Sequence, residues 1–415
     1  SKYLIGADGG NSKVAENIDL PFEGKMGVGG SMNILFRADL SKYVSHRPSV
    51  LYWVLQPGAD VGGIGMGVVR MVRPWNEWLL IWGYDINEEA PVISDDFAIK
   101  VARDLIGDPD QDVKVKSVST WTVNNMYAEK MRNGNVFCLG DATHRHPPSN
   151  GLGSNTSIQD SFNLAWKIAH VLQGKAEEKL LDSFEQERAP IAKQIVTRAN
   201  QSIEEFGPIF QALGLTDTND PKKMKENMSK RLKNDEEGQD TRKKLREAIA
   251  FKNYEFDAHG VDMNHRYYSD AIVNDGQKEP AFTKDKELHF EQTSWPGARL
   301  PHAWVFNKSG KQISTLDLAG KGCFSIFTGL NGLKWVEAAE KVSSKFNITV
   351  SINVIGPGSS VEDYTGDWAR IREINDGGAL LVRPDHHICA RFFTEGETAF
   401  DDLERVFSKI LGSVN

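Results

Sequence analysis

The stretch that decides the reading is GDATHRHPPSNGLGSN, residues 140–155. It comes after NVFCLG, a short apolar run with the character of a buried strand, and it precedes SIQDSFNLAWKIAHVLQG, which repeats apolar residues at helical spacing. The segment is therefore a strand–loop–helix unit. Gly140 lets the chain turn at the carboxyl end of the strand, which is where open α/β sheets bind ligands. Asp141 sits at that end, and a carboxylate there accepts two hydrogen bonds from a diol. Pro147 and Pro148 stiffen the middle of the loop. Gly151, Gly153, Ser154 and Asn155 then open the helix, where unpaired amides and aligned peptide dipoles favour negative charge. One end of the loop suits a polyol and the other suits an anionic group. A flavin nucleotide has both.

Two other readings compete. His144 and His146 lie two residues apart, but a zinc site needs three or four protein ligands and no third has matching spacing. A metal-dependent hydrolase is thus the weaker reading, and no metal is expected. VGGIGMGVV (61–69) is Gly-rich, but it lacks the third glycine of a dinucleotide fingerprint and leads into a strand-like run, not a helix. His386 and His387, beside a turn-like RPD, read as surface residues.

Outward from the loop, SMNILFRADL, SVLYWVLQPG, GIGMGVVRMV and EWLLIWGYDI read as strands of an antiparallel sheet. SDDFAIKVARDLIGD reads as a helix capped by Ser94 or Asp95. In the helix after the loop, Ile158, Phe162, Ala165, Trp166 and Ala169 fall on one face, with Gly174 as its stop. The next helix places Pro190 near its start. Residues 216–280 are a charged, helical connection. From 281 to 415 strands alternate with helices, the pattern of a separate small α/β domain. At the other end, KYLIGADGGNS reads as a buried strand, Tyr3 to Ile5, running into a Gly-rich turn. A domain rarely starts mid-sheet, so further chain is expected upstream of Ser1.

Composition bounds the rest. The 415 residues suffice for two or three domains. The formal net charge of −8 argues against non-specific nucleic-acid binding. No run of about 18 apolar residues suggests a membrane span. Three scattered cysteines, Cys138, Cys323 and Cys389, fit a reducing cytoplasm and not a disulfide framework.

VFCLGDATHRHPPSNGLGSN resembles the GD motif of single-component FAD-dependent aromatic hydroxylases, and YLIGADGGNS resembles their DG motif. The likeness is to the phenol hydroxylase branch and runs through the chain, with GARLPHAW and LVRPDHHICAR near its end. The resemblance implies an α/β (α+β) fold. Residues 1–20 and 121–215 would form part of an FAD-binding domain, and 21–120 an antiparallel substrate sheet. Residues 281–415 would be a thioredoxin-like domain used for packing and homodimer formation; without a CxxC it has no thiol–disulfide chemistry. It implies FAD on Asp141, Gly140, Gly151, Gly153, Ser154 and Asn155, with Asp8 and Gly9 near the pyrophosphate and the path of NADPH. Pro148 would face the flavin or the substrate hydroxyl with its carbonyl. Tyr84 would meet a phenolic substrate, and Trp82 stands where some relatives have Arg. The implied reaction is hydroxylation ortho to a phenol's hydroxyl, with O₂ activated as a hydroperoxide at flavin C4a. Members begin with a GxGxxG turn, roughly 150 residues, or one domain's worth, further upstream. That segment also supplies the acid that deprotonates the phenol, and it is expected to precede these residues. The rival expectation is an inactive remnant that serves as a folded oligomerisation module.

Overall fold

A computed structural model describes residues 1–57 and 67–412. The Gly-rich run at 61–69 falls mostly outside them. The chain opens with β1 (Leu4–Gly6) and α1 (Lys13–Asn17), then the long β2 (Phe22–Arg37) and α2 (Ser41–Val44). β3 (Leu51–Val54), β4 (Gly67–Arg73), β5 (Glu77–Tyr84), α3 (Asp95–Ile106) and β6 (Lys114–Ala128) complete the first third. β7 (Arg132–Asn133), β8 (Val136–Cys138) and β9 (His144–Arg145) lead into α4 (Leu152–Leu172).

Two sheets position the 140–155 loop. β1 pairs in parallel with β8, and β7 lies antiparallel on β8's other side. β3, β4, β5, β2, β6 and β9, in that order, form a six-stranded sheet whose described pairings are antiparallel. The expected sheet is thus present, with β6 as an addition. Its core is Ile34, Phe36, Trp78 and Leu80, covered by Ala98, Val101, Ala102 and Leu105 of α3. Ser94 caps α3, its hydroxyl accepting the Phe97 amide at 3.2 Å, and Gly107 closes the helix in the left-handed region. Ser94→Ala should cost about 1 kcal/mol, read as a lower urea midpoint; no change would mean solvent satisfies that helix start as well as the serine does.

β1 departs from the expected buried strand. Leu4 and Ile5 are 49% and 50% exposed, because among the described residues β1 pairs on one side only. α5 (Asp182–Glu204) also departs: it begins ahead of the expected helix, so Pro190 lies inside it. The reason is Asp182–Glu187, a helix-favouring run with two acids in the first turn.

The charged connection is helical: α6 (Gly207–Ala212), α7 (Pro221–Ser229), α8 (Glu236–Phe251), α9 (Asn253–Phe256) and α10 (His259–Met263). Beyond it, β10 (Trp304–Asn307), β11 (Gln312–Ser314) and β14 (Val361–Glu362) make a small antiparallel sheet. β12 (Phe324–Thr328), α11 (Leu333–Phe346), β13 (Val350–Val354), α12 (Asp367–Ile371), β15 (Ala379–Val382), β16 (Ile388–Phe392) and α13 (Ala399–Leu411) make the C-terminal unit. The sheet order β13-β12-β15-β16, with β12 and β13 parallel and the other pairs antiparallel, is that of a thioredoxin-like sheet. One apolar core runs from Phe137, Leu164 and Phe184 into Phe324, Trp335 and Phe407, so this unit is fused to the first sheet's layer. Among the described residues no helix is long and apolar enough to cross a membrane.

Candidate functional site

The 140–155 loop is held from beneath by one carboxylate. Asp160 on α4 is 1% exposed. It accepts the Gly140 amide at 3.0 Å, His144 Nε2 at 3.0 Å and Arg188 Nε at 2.7 Å. Arg188 continues to the Tyr267 hydroxyl at 2.9 Å. Burial opposes ionisation of Asp160, but Arg188, His144 and the Gly140 amide outweigh it and hold the carboxyl below its usual range. His144 therefore has a structural partner. His146 sits beside it with ring centroids 6.1 Å apart, and its Nδ1 lies 2.7 Å from the Pro147 carbonyl. Among the described residues no group of three or more His, Cys, Asp or Glu is arranged to hold a metal.

The upper surface of the loop is open. Asp141 is exposed, and its carboxylate has no hydrogen-bond partner among the described residues. Its backbone carbonyl accepts Arg145 Nε at 3.2 Å. Gly140 adopts φ +64°, and a side chain there would meet Ser157 Oγ at 2.8 Å, so the turn needs glycine twice over. Pro148 is exposed, and its carbonyl accepts the Gly151 amide at 3.1 Å. Asn150, at φ +62°, is gripped by Ser202 at 2.7 Å and by the Tyr254 carbonyl at 2.6 Å. Gly151, at φ +67°, starts α4 with no side-chain cap. Helix geometry leaves the Leu152, Gly153 and Ser154 amides without intrahelical partners. Asn155 sits where intrahelical bonding begins, and its Nδ2 donates to the Gly151 carbonyl at 2.8 Å. A 21-residue helix thus starts without a side-chain cap, with open space around Gly151, on the same loop as a carboxylate that has no hydrogen-bond partner among the described residues.

Asp8 is placed differently. Its carboxylate accepts Ser12 Oγ at 2.5 Å and the Lys13 and Val14 amides at 2.8 and 3.2 Å, so it is spent on the start of α1. Those bonds hold its carboxyl below the usual range. Next to it, Gly9 and Gly10 face open space.

α4 also corrects the expected face. Ile158 and Phe162 are 67% and 48% exposed, and Ala165 is exposed too. The buried face instead carries Asp160, Asn163 and Lys167 beside Leu164 and Trp166. Lys167 and Asn163 meet Glu187 at 2.8 and 2.6 Å, and Arg383 grips Glu187 at 2.5 and 2.9 Å and Asp385 at 3.0 and 2.5 Å. Apolar periodicity misleads here because this face is filled by paired charges. The neighbouring histidines are likewise not surface residues: His387 stacks on Tyr267 at 4.2 Å and His386 packs near Phe162 at 5.8 Å, both half-buried.

β9 connects the loop to the six-stranded sheet. His144 and Arg145 pair with Tyr127 and Met126 of β6, which pairs with β2, which pairs with β5. Tyr84 ends β5, three strand spacings from the loop, or about 14 Å across the sheet. Its ring lies over Gly30, its cross-strand partner. Trp82 and Tyr84 are half-buried on the face that continues from Trp78 and Leu80. Trp78 itself is core, donating to the Ala38 and Trp75 carbonyls at 3.1 and 3.0 Å. Trp53 packs on Phe206 at 4.4 Å. Asn150, Asp160 and Arg188 support the loop and are missed by sequence reasoning; Asp160 sits in the third turn of α4, where a buried acid signals a partner only in retrospect.

Residues 1–199 match the family model described as an FAD binding domain, and residues 293–414 match the aromatic-ring hydroxylase C-terminal domain. The chain is 56% identical over 413 residues to 2,4-dichlorophenol 6-monooxygenase of Cupriavidus pinatubonensis, covering 99% of this chain and 69% of that one. It is 48% identical to a Pseudomonas phenol 2-monooxygenase, covering 97% of this chain and 65% of the relative. It also resembles the crystal structure of the flavin-dependent monooxygenase PieE in complex with FAD and substrate, with a TM-score of 0.92, 39% identity, and coverage of 100% and 70%. Sequence, fold and loop agree: the chain belongs to the FAD-dependent aromatic-ring monooxygenase family.

Proposed function

We propose that this protein hydroxylates a phenolic ring ortho to its hydroxyl, using FAD, NADPH and O₂. The carrying observation is the pairing of a free carboxylate, Asp141, with the uncapped start of α4 on a loop that β9 stitches into the sheet bearing Tyr84. The fit to a flavin rests on that geometry. Asp141 accepts hydroxyls of the ribitol. The Gly153 and Ser154 amides, with Asn155 behind them, would meet the pyrimidine edge of the ring and would favour the negative charge it carries when reduced. Gly140 and Gly151 allow close approach. Gly9 leaves room for the pyrophosphate, and Asp8 fixes the turn that holds Gly9 in place. When bound, FAD supplies the redox chemistry, accepting hydride from NADPH and transferring one oxygen atom of O₂.

The chain's own task is positioning and exclusion of water. The Pro148 carbonyl, with one lone pair engaged by Gly151, has a second to offer a substrate hydroxyl. Tyr84 donates a hydrogen bond to the phenol oxygen. That oxygen is better ionised, because a neutral phenol has a pKa near 10 and is the poorer nucleophile. Homodimer formation through the C-terminal unit and a reducing cytoplasm complete the reading.

The test is purification of the full-length polypeptide, its visible spectrum, and assay of phenol-dependent NADPH oxidation with product identification. A yellow protein that forms a catechol supports the proposal. A colourless, folded dimer with no turnover would refute it in favour of an oligomerisation module. Tyr84→Phe should slow hydroxylation about tenfold, the worth of one hydrogen bond of roughly 1.4 kcal/mol, while flavin reduction stays within twofold. Stopped-flow separation of the two half-reactions reads this, and equal rates in both would remove Tyr84 from the substrate.

A further inference from the structure

β2 carries glycines at 24, 27, 29 and 30. Gly24 and Gly27 have φ +100° and +66°, a region glycine enters without strain. At Gly29 a side chain would meet Val123 no closer than 3.7 Å, an ordinary contact. Gly30 is different. Its φ lies outside the left-handed region, so the backbone does not call for glycine. Yet a Cβ there would fall 2.5 Å from Cε2 and Cζ of Tyr84 and 2.7 Å from Cδ2. The Tyr84 ring is laid on bare backbone. Glycine weakens a strand interior and normally marks a bulge or a close approach. The β2–β5 register is unbroken from Arg37 and Glu77 to Gly30 and Tyr84, and the irregularity of β2 against β6 lies between Lys25 and Gly29, before regular pairing resumes at Gly29 and Gly30. The close approach of one ring is what remains.

We propose that Gly30 is a positioning residue, a seat whose missing side chain sets the depth of the Tyr84 ring and hence the place where its hydroxyl meets the substrate. The inference rests on the reading of Tyr84 as substrate-facing. An alanine would push the ring from 2.5 Å to ordinary carbon contact, a shift of about 1 Å. The ring is the far end of a side chain beside solvent, so it moves more readily than the strand. A displacement of that size at a positioning group costs on the order of ten- to a hundredfold in rate.

The test is a double-mutant cycle in the FAD-loaded full-length enzyme: parent, Gly30→Ala, Tyr84→Ala and both together. kcat/KM for phenol and phenol affinity, from perturbation of the flavin absorbance, are measured with the thermal midpoint. The expected result is a ten- to hundredfold loss in kcat/KM and weaker phenol binding for Gly30→Ala alone, and under twofold effect when Tyr84 is already alanine. An equal effect in both backgrounds would overturn the seat, since the glycine would then serve the strand. So would no effect in either. If Gly30→Ala fails to fold but the double variant folds, the clash with the ring is confirmed; if neither folds, the seat is overturned. Failure of the underlying reading looks different. There Tyr84→Ala leaves turnover at the parent level, while the near-UV dichroism of tyrosine still changes in Gly30→Ala.

Discussion

Asp141→Ala is expected to weaken FAD binding by about a hundredfold or more and to leave the fold intact. The magnitude follows from the proposed placement, in which the carboxylate would accept two hydrogen bonds from ribitol hydroxyls, each worth roughly 1.5–3 kcal/mol because the acceptor is charged. The selectivity comes from where the side chain sits. Asp141 is exposed and its carboxylate bonds nothing else among the described residues, so its loss removes no internal contact. The turn itself is secured from below by Asp160 on the Gly140 amide at 3.0 Å and by the Thr143 amide on the Gly140 carbonyl at 2.7 Å. Reconstitution of apoprotein with FAD, monitored by quenching of flavin fluorescence, gives the dissociation constant. Circular dichroism and the midpoint of the apoprotein check the fold. A variant that binds FAD as tightly as its parent would show that the carboxylate does not face the cofactor. A variant whose apoprotein unfolds would show that Asp141 is structural, contrary to its open position.

How much of the molecule is legible in its sequence depends on whether local pattern and burial coincide. α3 is readable because Ser94, the apolar repeat and Gly107 all agree. The loop is readable because its glycines, prolines and acid have distinct backbone consequences. β6 is not: KVKSVSTW is mostly charged and hydroxyl residues, and its two valines, Val115 and Val118, are themselves partly exposed. It is a strand because β2 on one side and β9 on the other hydrogen-bond to it, which is long-range information. The Gly-rich half of β2 is hidden for the same reason. On α4 the apolar stripe points outward, because its opposite face is paired with charges from α5 and from the β15–β16 turn, far away in sequence. Tyr84 is singled out by family likeness alone; its contact with Gly30 needs a register that sequence does not print.

Those paired charges give the largest expected loss of stability. Glu187 is 1% exposed and accepts Arg383, Lys167, Asn163 and Ser269, tying α4, α5, the connection and the C-terminal sheet together. Glu187→Gln keeps the shape and removes the charge. Arg383 keeps Asp385, but Lys167 is left buried beside an amide. Removing one partner of a buried ion pair costs about 3–5 kcal/mol, which for a chain of this length is roughly 4–6 °C in Tm if it unfolds as one unit. The effect has a sign in pH. Burial opposes ionisation of Glu187, but Arg383 and Lys167 outweigh it and hold the carboxyl at about 2, below its ordinary 4.5. A depressed folded pKa means the carboxylate's contribution is complete above the ordinary value and is lost as pH falls toward about 2. The Tm gap between parent and variant should therefore be widest near neutrality and narrow from about pH 4.5 downward. Differential scanning calorimetry from about pH 7 to 3 spans that window. A gap that stays constant over that range would mean that the glutamate's shape holds the domains together and its charge does not.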